Sequence, residues 1–67
     1  MTETEKKYRE ARKGAGIRPE TAASKLGVSI TTLLNWERGD TVPNADSIAN
    51  MAKLYGVTTD YLLGLPV

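Results

Sequence analysis

Apolar residues along the chain recur at spacings of three and four, which is the period of an amphipathic α-helix. In the clearest stretch, four such residues fall on one face: Ile48, Met51, Ala52 and Tyr55. Asn44 precedes this stretch as a suitable N-cap, and Gly56 follows it as a stop. The pattern therefore predicts a helix over residues 45–55.

Four further segments carry helix signals of the same kind. The predicted helices span approximately residues 3–13, 19–26, 30–38 and 59–63. Thr2 and Glu5 have capping-box spacing at the start of the first helix, and Pro19 suits the first position of the second. Gly27 ends the second helix and Ser29 caps the third, so a three-residue turn joins them. No segment alternates as a strand does, and the fold is predicted to be all-α.

Length and composition limit the chemistry available to the protein. The 67 residues include 9 basic and 8 acidic side chains, and this length predicts a single small domain over residues 1–67 with a thin core. Cysteine is absent, which excludes disulfides and thiolate chemistry, and the absence of histidine removes the commonest general base. We therefore expect no enzymatic activity, no metal site and no cofactor.

The positions of the charged residues argue against a membrane-spanning segment and against a secretory signal. The longest run without a charged residue extends from Leu26 to Trp36, which is short of the ~20 apolar residues that span a bilayer. The N-terminal residues carry acidic and basic side chains with no apolar stretch behind them, unlike a secretory signal. The expected location is cytoplasmic, with no membrane partner.

Two short helices joined by a three-residue turn are typical of the unit that places its second helix in the major groove of DNA. Further spaced blocks surround this turn: Lys25 to Ser29, Leu33, Trp36 to Gly39, Pro43, Leu54 to Thr58 and Asp60 to Gly64. Because of these blocks, the chain resembles the Cro/repressor helix-turn-helix family, also described as XRE-like or lambda-repressor-like. The resemblance covers about residues 8–64. The resemblance implies a compact five-helix domain that acts as a sequence-specific transcriptional regulator, such as a Cro-like repressor of a phage or bacterial switch.

The resemblance also implies that the third helix reads an operator in double-stranded DNA, with base-contacting positions at Ile30, Thr31, Leu34 and Asn35. A rotation of about 100° per residue, with Leu33 facing inward, independently turns Thr31, Leu34 and Asn35 outward. Asn35 offers a donor and an acceptor to adenine, and Thr31 can bond a base edge or touch a thymine methyl. Ile30 and Leu34 are limited to methyl contacts.

Other residues are expected to hold the DNA backbone or the fold. Thr32 and the amides at the start of the third helix suit phosphate oxygens, as Arg18 and Arg38 do through their charge. The resemblance implies a structural ion pair between Arg12 and Glu37. Trp36 is expected in the core. Four cations are expected to form a solvated face, with a phosphate clamp as the alternative: Lys6, Lys7, Arg9 and Lys13.

Three departures from the family pattern favour an alternative function. Pro19 stands where the family usually has a glutamine that contacts phosphate, and Ile30 and Leu34 are apolar where polar residues are common. Residues 14–44 contain three basic and three acidic side chains, so the segment that would meet phosphates has no net charge. The alternative is an anti-repressor that binds a partner repressor through Ile30 and Leu34 and alters its DNA binding.

DNA binding by such a weakly charged domain would depend on a homodimer that engages two half-sites about one helical turn apart. The apolar tail is one candidate for the contact between subunits: Leu63, Leu65, Pro66 and Val67. The same tail has a second interpretation, in which it folds back over the fifth helix.

Overall fold

A computed structural model describes residues 6–65 of the chain as five α-helices joined by short turns. The helices are α1 (Tyr8–Gly14), α2 (Pro19–Leu26), α3 (Ile30–Arg38), α4 (Ala45–Tyr55) and α5 (Thr59–Leu63). No strand occurs within residues 6–65, and the predicted all-α, five-helix fold class is confirmed.

The last three helices each begin at a side chain that accepts a hydrogen bond from the backbone amide three residues later. Ser29 accepts from Thr32 at 3.1 Å, and Asn44 accepts from Ser47 at 2.8 Å. Thr58 caps α5 in the same way, by accepting from the amide of residue 61 at 3.1 Å. These caps satisfy amides that a helix leaves without an internal partner, so they define where each helix starts.

The first helix differs from its prediction. It was expected from about residue 3, but Lys6 and Lys7 are not helical, and α1 begins at Tyr8. The backbone amide of Lys7 donates a 2.9 Å hydrogen bond to the carbonyl of Leu62 in α5, so a tertiary contact holds the chain outside the helical path. The predicted capping box of Thr2 and Glu5 lies outside the described residues.

The core lies where the five helices meet. Its largest fully buried side chains come from four helices: Tyr8, Leu33, Met51 and Leu62. Trp36 is only 7% exposed, and its predicted place in the core is confirmed. Ala22 and Ala23 of α2 are buried as well, and their small side chains let this helix pack closely on α3 and α4.

Contacts among the helices leave one side of α3 uncovered. Helix α1 packs against α3, α4 and α5, while α2 packs against α3 and α4. Helix α3 is therefore held from behind by α1 and α2, and its opposite side faces outward. Within residues 6–65, none of the helices has the length and hydropathy of a membrane span.

Candidate nucleic-acid interface

The turn between α2 and α3 fixes the orientation of α3 through its backbone. Gly27 ends α2 with φ +74°, a left-handed conformation that suits glycine because it has no Cβ. The amide of Val28 donates to the carbonyl of Ala23 at 3.0 Å, and Ser29 then caps α3. Two helices joined by so short a turn form a helix-turn-helix unit.

The outward side of α3 presents the side chains that the sequence placed there, with unequal exposure. Ile30 is 41% exposed, and Thr31 and Arg38 are exposed as well. Leu34 and Asn35 are half-buried. The first turn of α3 is therefore the more accessible end of this surface.

A chain of polar contacts joins Asn35, Arg38 and Asp40 at the other end of this surface. The Nη2 of Arg38 donates a hydrogen bond to Oδ1 of Asn35. The Nε of the same guanidinium donates to Oδ2 of Asp40 at 3.1 Å, in an exposed ion pair. Arg38 thus engages the amide oxygen of Asn35, while its own charge is partly offset by Asp40.

The start of α3 has the features of an anion-binding helix end. The Oγ of Ser29 donates to Oγ1 of Thr32 at 3.0 Å and accepts from the Thr32 amide at 3.1 Å. The hydroxyl proton of Thr32 is then free to donate outward. The amides of Ile30 and Thr31 have no acceptor within residues 6–65, and Arg18 is exposed at the N-cap of α2. Amides and hydroxyls at such a position suit a phosphate oxygen.

A buried ion pair joins α1 to the last turn of α3. Arg12 donates through Nε to Oε2 of Glu37 at 2.7 Å and through Nη2 to Oε1 at 3.2 Å. Its Nη1 also donates to the carbonyl of Ile17 at 3.0 Å. The hydrogen bond to Glu37 raises the pKa of the Arg12 guanidinium. The pairing that the resemblance implies is thus present, and it anchors α3 to α1 from behind.

A groove runs between α1, the start of α2 and the outward side of α3. It is lined by Arg9, Arg12, Pro19, Leu34, Glu37 and Arg38. For Arg9 the sequence favours a solvated face shared with Lys6, Lys7 and Lys13, with a phosphate clamp as the alternative. Its position three residues before Arg12 was a usable signal, because residues three apart share one side of a helix.

Comparison with known proteins places these features in a family. The family model described as helix-turn-helix matches residues 9–62. The HTH-type transcriptional regulator ImmR of Bacillus subtilis is 42% identical over 59 residues, which are 88% of this chain and 46% of that protein. The HTH-type transcriptional activator BcrR of Enterococcus faecalis is 36% identical over 61 residues, or 91% of this chain and 30% of that protein. The chain therefore spans less than half the length of these two relatives.

A solved structure of similar size agrees with this result. The P22 c2 repressor, crystallised in complex with a synthetic operator, has a TM-score of 0.78 and 33% sequence identity to this chain. The match covers 85% of this chain and 86% of the repressor chain.

Proposed function

Because the chain belongs to the helix-turn-helix family of the Cro/repressor, XRE and lambda-repressor-like type, we propose that it is a sequence-specific DNA-binding transcriptional regulator. The observation that carries this proposal is the outward side of α3, which projects Ile30 and Thr31 from a helix whose inner side is anchored by Leu33 and Trp36. A recognition helix needs this combination, because base contacts require side chains held at a fixed depth in the major groove.

In the proposed complex, the N-terminal turn of α3 enters the groove first. Thr31 bonds a base edge or touches a thymine methyl, and Ile30 and Leu34 make apolar contacts with methyl groups. Asn35 presents its amide to a base edge further along the helix. The bond from Arg38 occupies one side of the Asn35 oxygen, so the NH₂ group of Asn35 is the freer part to donate.

Phosphate contacts would position α3 without reading sequence. Thr32 and the open amides of Ile30 and Thr31 supply neutral donors at the start of the helix, and Arg18 and Arg38 supply charge. Of these two arginines, Arg38 should attract phosphate less strongly, because Asp40 forms an ion pair with it.

The names of the relatives support a role in regulating transcription, but they do not decide between activation and repression. ImmR is named a regulator, BcrR an activator, and the P22 c2 protein a repressor in complex with a synthetic operator. For this chain we propose the repressor action of a Cro-like protein, in which occupation of the operator by α3 blocks transcription. Such a function belongs in the cytoplasm of a bacterial cell, where the DNA lies.

Two copies of the chain are proposed to bind one operator. Tyr61 and Leu65 are 41% and 45% exposed at the α5 end of the domain, and these apolar side chains would gain from burial against a second copy. A dimer doubles the phosphate contacts of a domain with a formal net charge of only +1.

Selection of a random duplex pool at low salt, about 50 mM, tests the proposed function directly. We expect enrichment of a palindromic motif, with loss of affinity in Thr31→Ala and Asn35→Ala. Thr59→Ala is the matched control, since this exposed threonine lies in α5, which packs on α1 and α4.

The opposite result would point to the alternative function. The proposal fails if no motif is enriched and if both α3 variants behave like Thr59→Ala. Binding of a partner repressor that is abolished by Leu34→Asp, with no DNA present, would then identify the chain as an anti-repressor.

A further inference from the structure

We propose that Arg9 of α1 contacts a backbone phosphate of the bound DNA, so that the groove beside α3 is a phosphate site and α1 is part of the interface. This inference rests on the proposed function. It adds a residue outside the helix-turn-helix unit to the cations of that unit, Arg18 and Arg38, that are proposed to meet phosphates.

The groove joins Arg9 to the recognition surface. Leu34 and Arg38 of α3 line it from one side, Arg9 lines it from α1, and Pro19 lies at the start of α2. DNA backbones border the major groove on both sides, so a concave surface next to an inserted helix is where a phosphate would lie. A contact from Arg9 would thus reach the strand that flanks α3.

The charges lining the groove differ in their availability. Arg12 is buried and is committed to Glu37 and to the carbonyl of Ile17. Arg38 is committed to Asp40 and Asn35. Arg9 is exposed and has no acidic partner within residues 6–65, so it is the groove's available cation.

Two further observations favour an anion at this place. The basic and acidic side chains of residues 14–44 cancel, so the α2–α3 unit needs charge from elsewhere to neutralise phosphates. Pro19, the first residue of α2, has no backbone N–H and cannot donate to an anion at this helix start. An arginine on α1 supplies a donor in place of the N–H that Pro19 lacks and adds positive charge to that of Arg18, and its planar guanidinium matches a phosphate group well.

Salt-dependent binding to a fluorescently labelled duplex of mixed sequence is the test, because phosphate contacts dominate such binding. Anisotropy titrations between roughly 50 and 200 mM KCl give the slope of log affinity against log salt. We expect Arg9→Gln to reduce the magnitude of this slope by about 0.9 and to lower affinity at low salt roughly tenfold. Arg9→Lys should keep most of the slope, since it keeps the charge.

Lys13→Gln is the matched control, because it removes the same charge from an exposed position on α1 outside the groove lining. A motif selected by Arg9→Gln should equal the wild-type motif, since a phosphate contact carries no base preference. The inference is overturned if Arg9→Gln and Lys13→Gln change the slope equally, or if Arg9→Gln changes the selected motif. If the wild-type protein binds no duplex at all, the proposed function itself fails, which is a different result from equal slopes.

Discussion

Arg12 and Glu37 form a bidentate ion pair in which the side chains are only 8% and 4% exposed. The pair bridges α1 and the final turn of α3, 25 residues apart in the chain. Because α1 also carries Arg9, this contact sets the position of the groove relative to the recognition surface. The pair is therefore structural, and it bears on DNA binding through the position of α3.

Removal of one partner from this pair should be strongly destabilising. Glu37→Gln leaves the Arg12 guanidinium buried without its counter-charge, and we expect the free energy of unfolding to fall by about 3 kcal/mol. Urea denaturation monitored by circular dichroism measures this change. Asp40→Asn, which breaks the exposed pair with Arg38, is the control and should alter stability by less than about 0.5 kcal/mol. Similar losses in the two variants would contradict the structural role of Arg12 and Glu37.

The hydroxyl of Tyr55 is buried and lacks a hydrogen-bond partner within residues 6–65, as does that of Tyr8. Such a group contributes little or unfavourably to folding, since it gives up water without a replacement. We expect Tyr55→Phe to leave stability unchanged or to raise it by about 1 kcal/mol, measured by urea denaturation at neutral pH. Tyr61→Phe, at an exposed position, serves as the reference. A marked loss in Tyr55→Phe alone would mean that the hydroxyl is hydrogen-bonded in solution.

Stability should decline in alkaline solution because of the same buried tyrosine. Burial, assisted by the nearby Glu37 carboxylate, raises the pKa of Tyr55 from 10.0 to about 12. The unfolded chain then releases this proton at lower pH than the folded chain, so the stabilisation is complete below about pH 10 and is lost between about pH 10 and 12. The expected slope is up to about 1.4 kcal/mol per pH unit.

Urea denaturation at a series of pH values measures this slope, and Tyr55→Phe should reduce it. Burial also raises the pKa of Tyr8, so part of the slope remains in that variant. Equal slopes in the wild type and in Tyr55→Phe would show that other groups cause the alkaline loss.

Arg38 donates a hydrogen bond to Asn35, and experiment can distinguish two roles for it: orienting the Asn35 amide or contacting phosphate. If Arg38 orients the Asn35 amide, Arg38→Ala should broaden the base preference at one position of each half-site. If it chiefly contacts phosphate, affinity should fall for all sequences and the salt slope should decrease by about 1. From the observed bonds we expect the first result. Duplex selection with Arg38→Ala, beside Asp40→Ala as a control that keeps the bond to Asn35, gives the measurement.

Most helix boundaries followed from signals that lie close together in the chain. Ser29, Asn44 and Thr58 bond amides three residues away, and Gly27 ends α2 through its own backbone conformation. Such contacts depend on neighbours in sequence, so inspection of the residues was sufficient to find them. The buried face of α4 follows from its apolar period in the same way.

The start of α1 required the tertiary structure. A capping-box spacing at Thr2 and Glu5 predicted an earlier start, but the amide of Lys7 bonds Leu62, 55 residues further along the chain. The acidic partner of Arg38 was equally hard to assign from sequence. Arg38 bonds Asp40 across the end of a helix, outside the three- and four-residue spacings that helix geometry relates.

The helices and their order could thus be predicted from the 67 residues, because caps, stops and periodicity act locally. The family resemblance followed from the spaced sequence blocks. The family resemblance implied the pair of Arg12 and Glu37, and the packing of α1 against α3 decided that this pair is buried and that Arg9 lines the groove beside it. These assignments depend on distances between helices that are remote in sequence. A list of basic residues gives Arg9 and Arg12 the same charge, and only the fold distinguishes their surroundings.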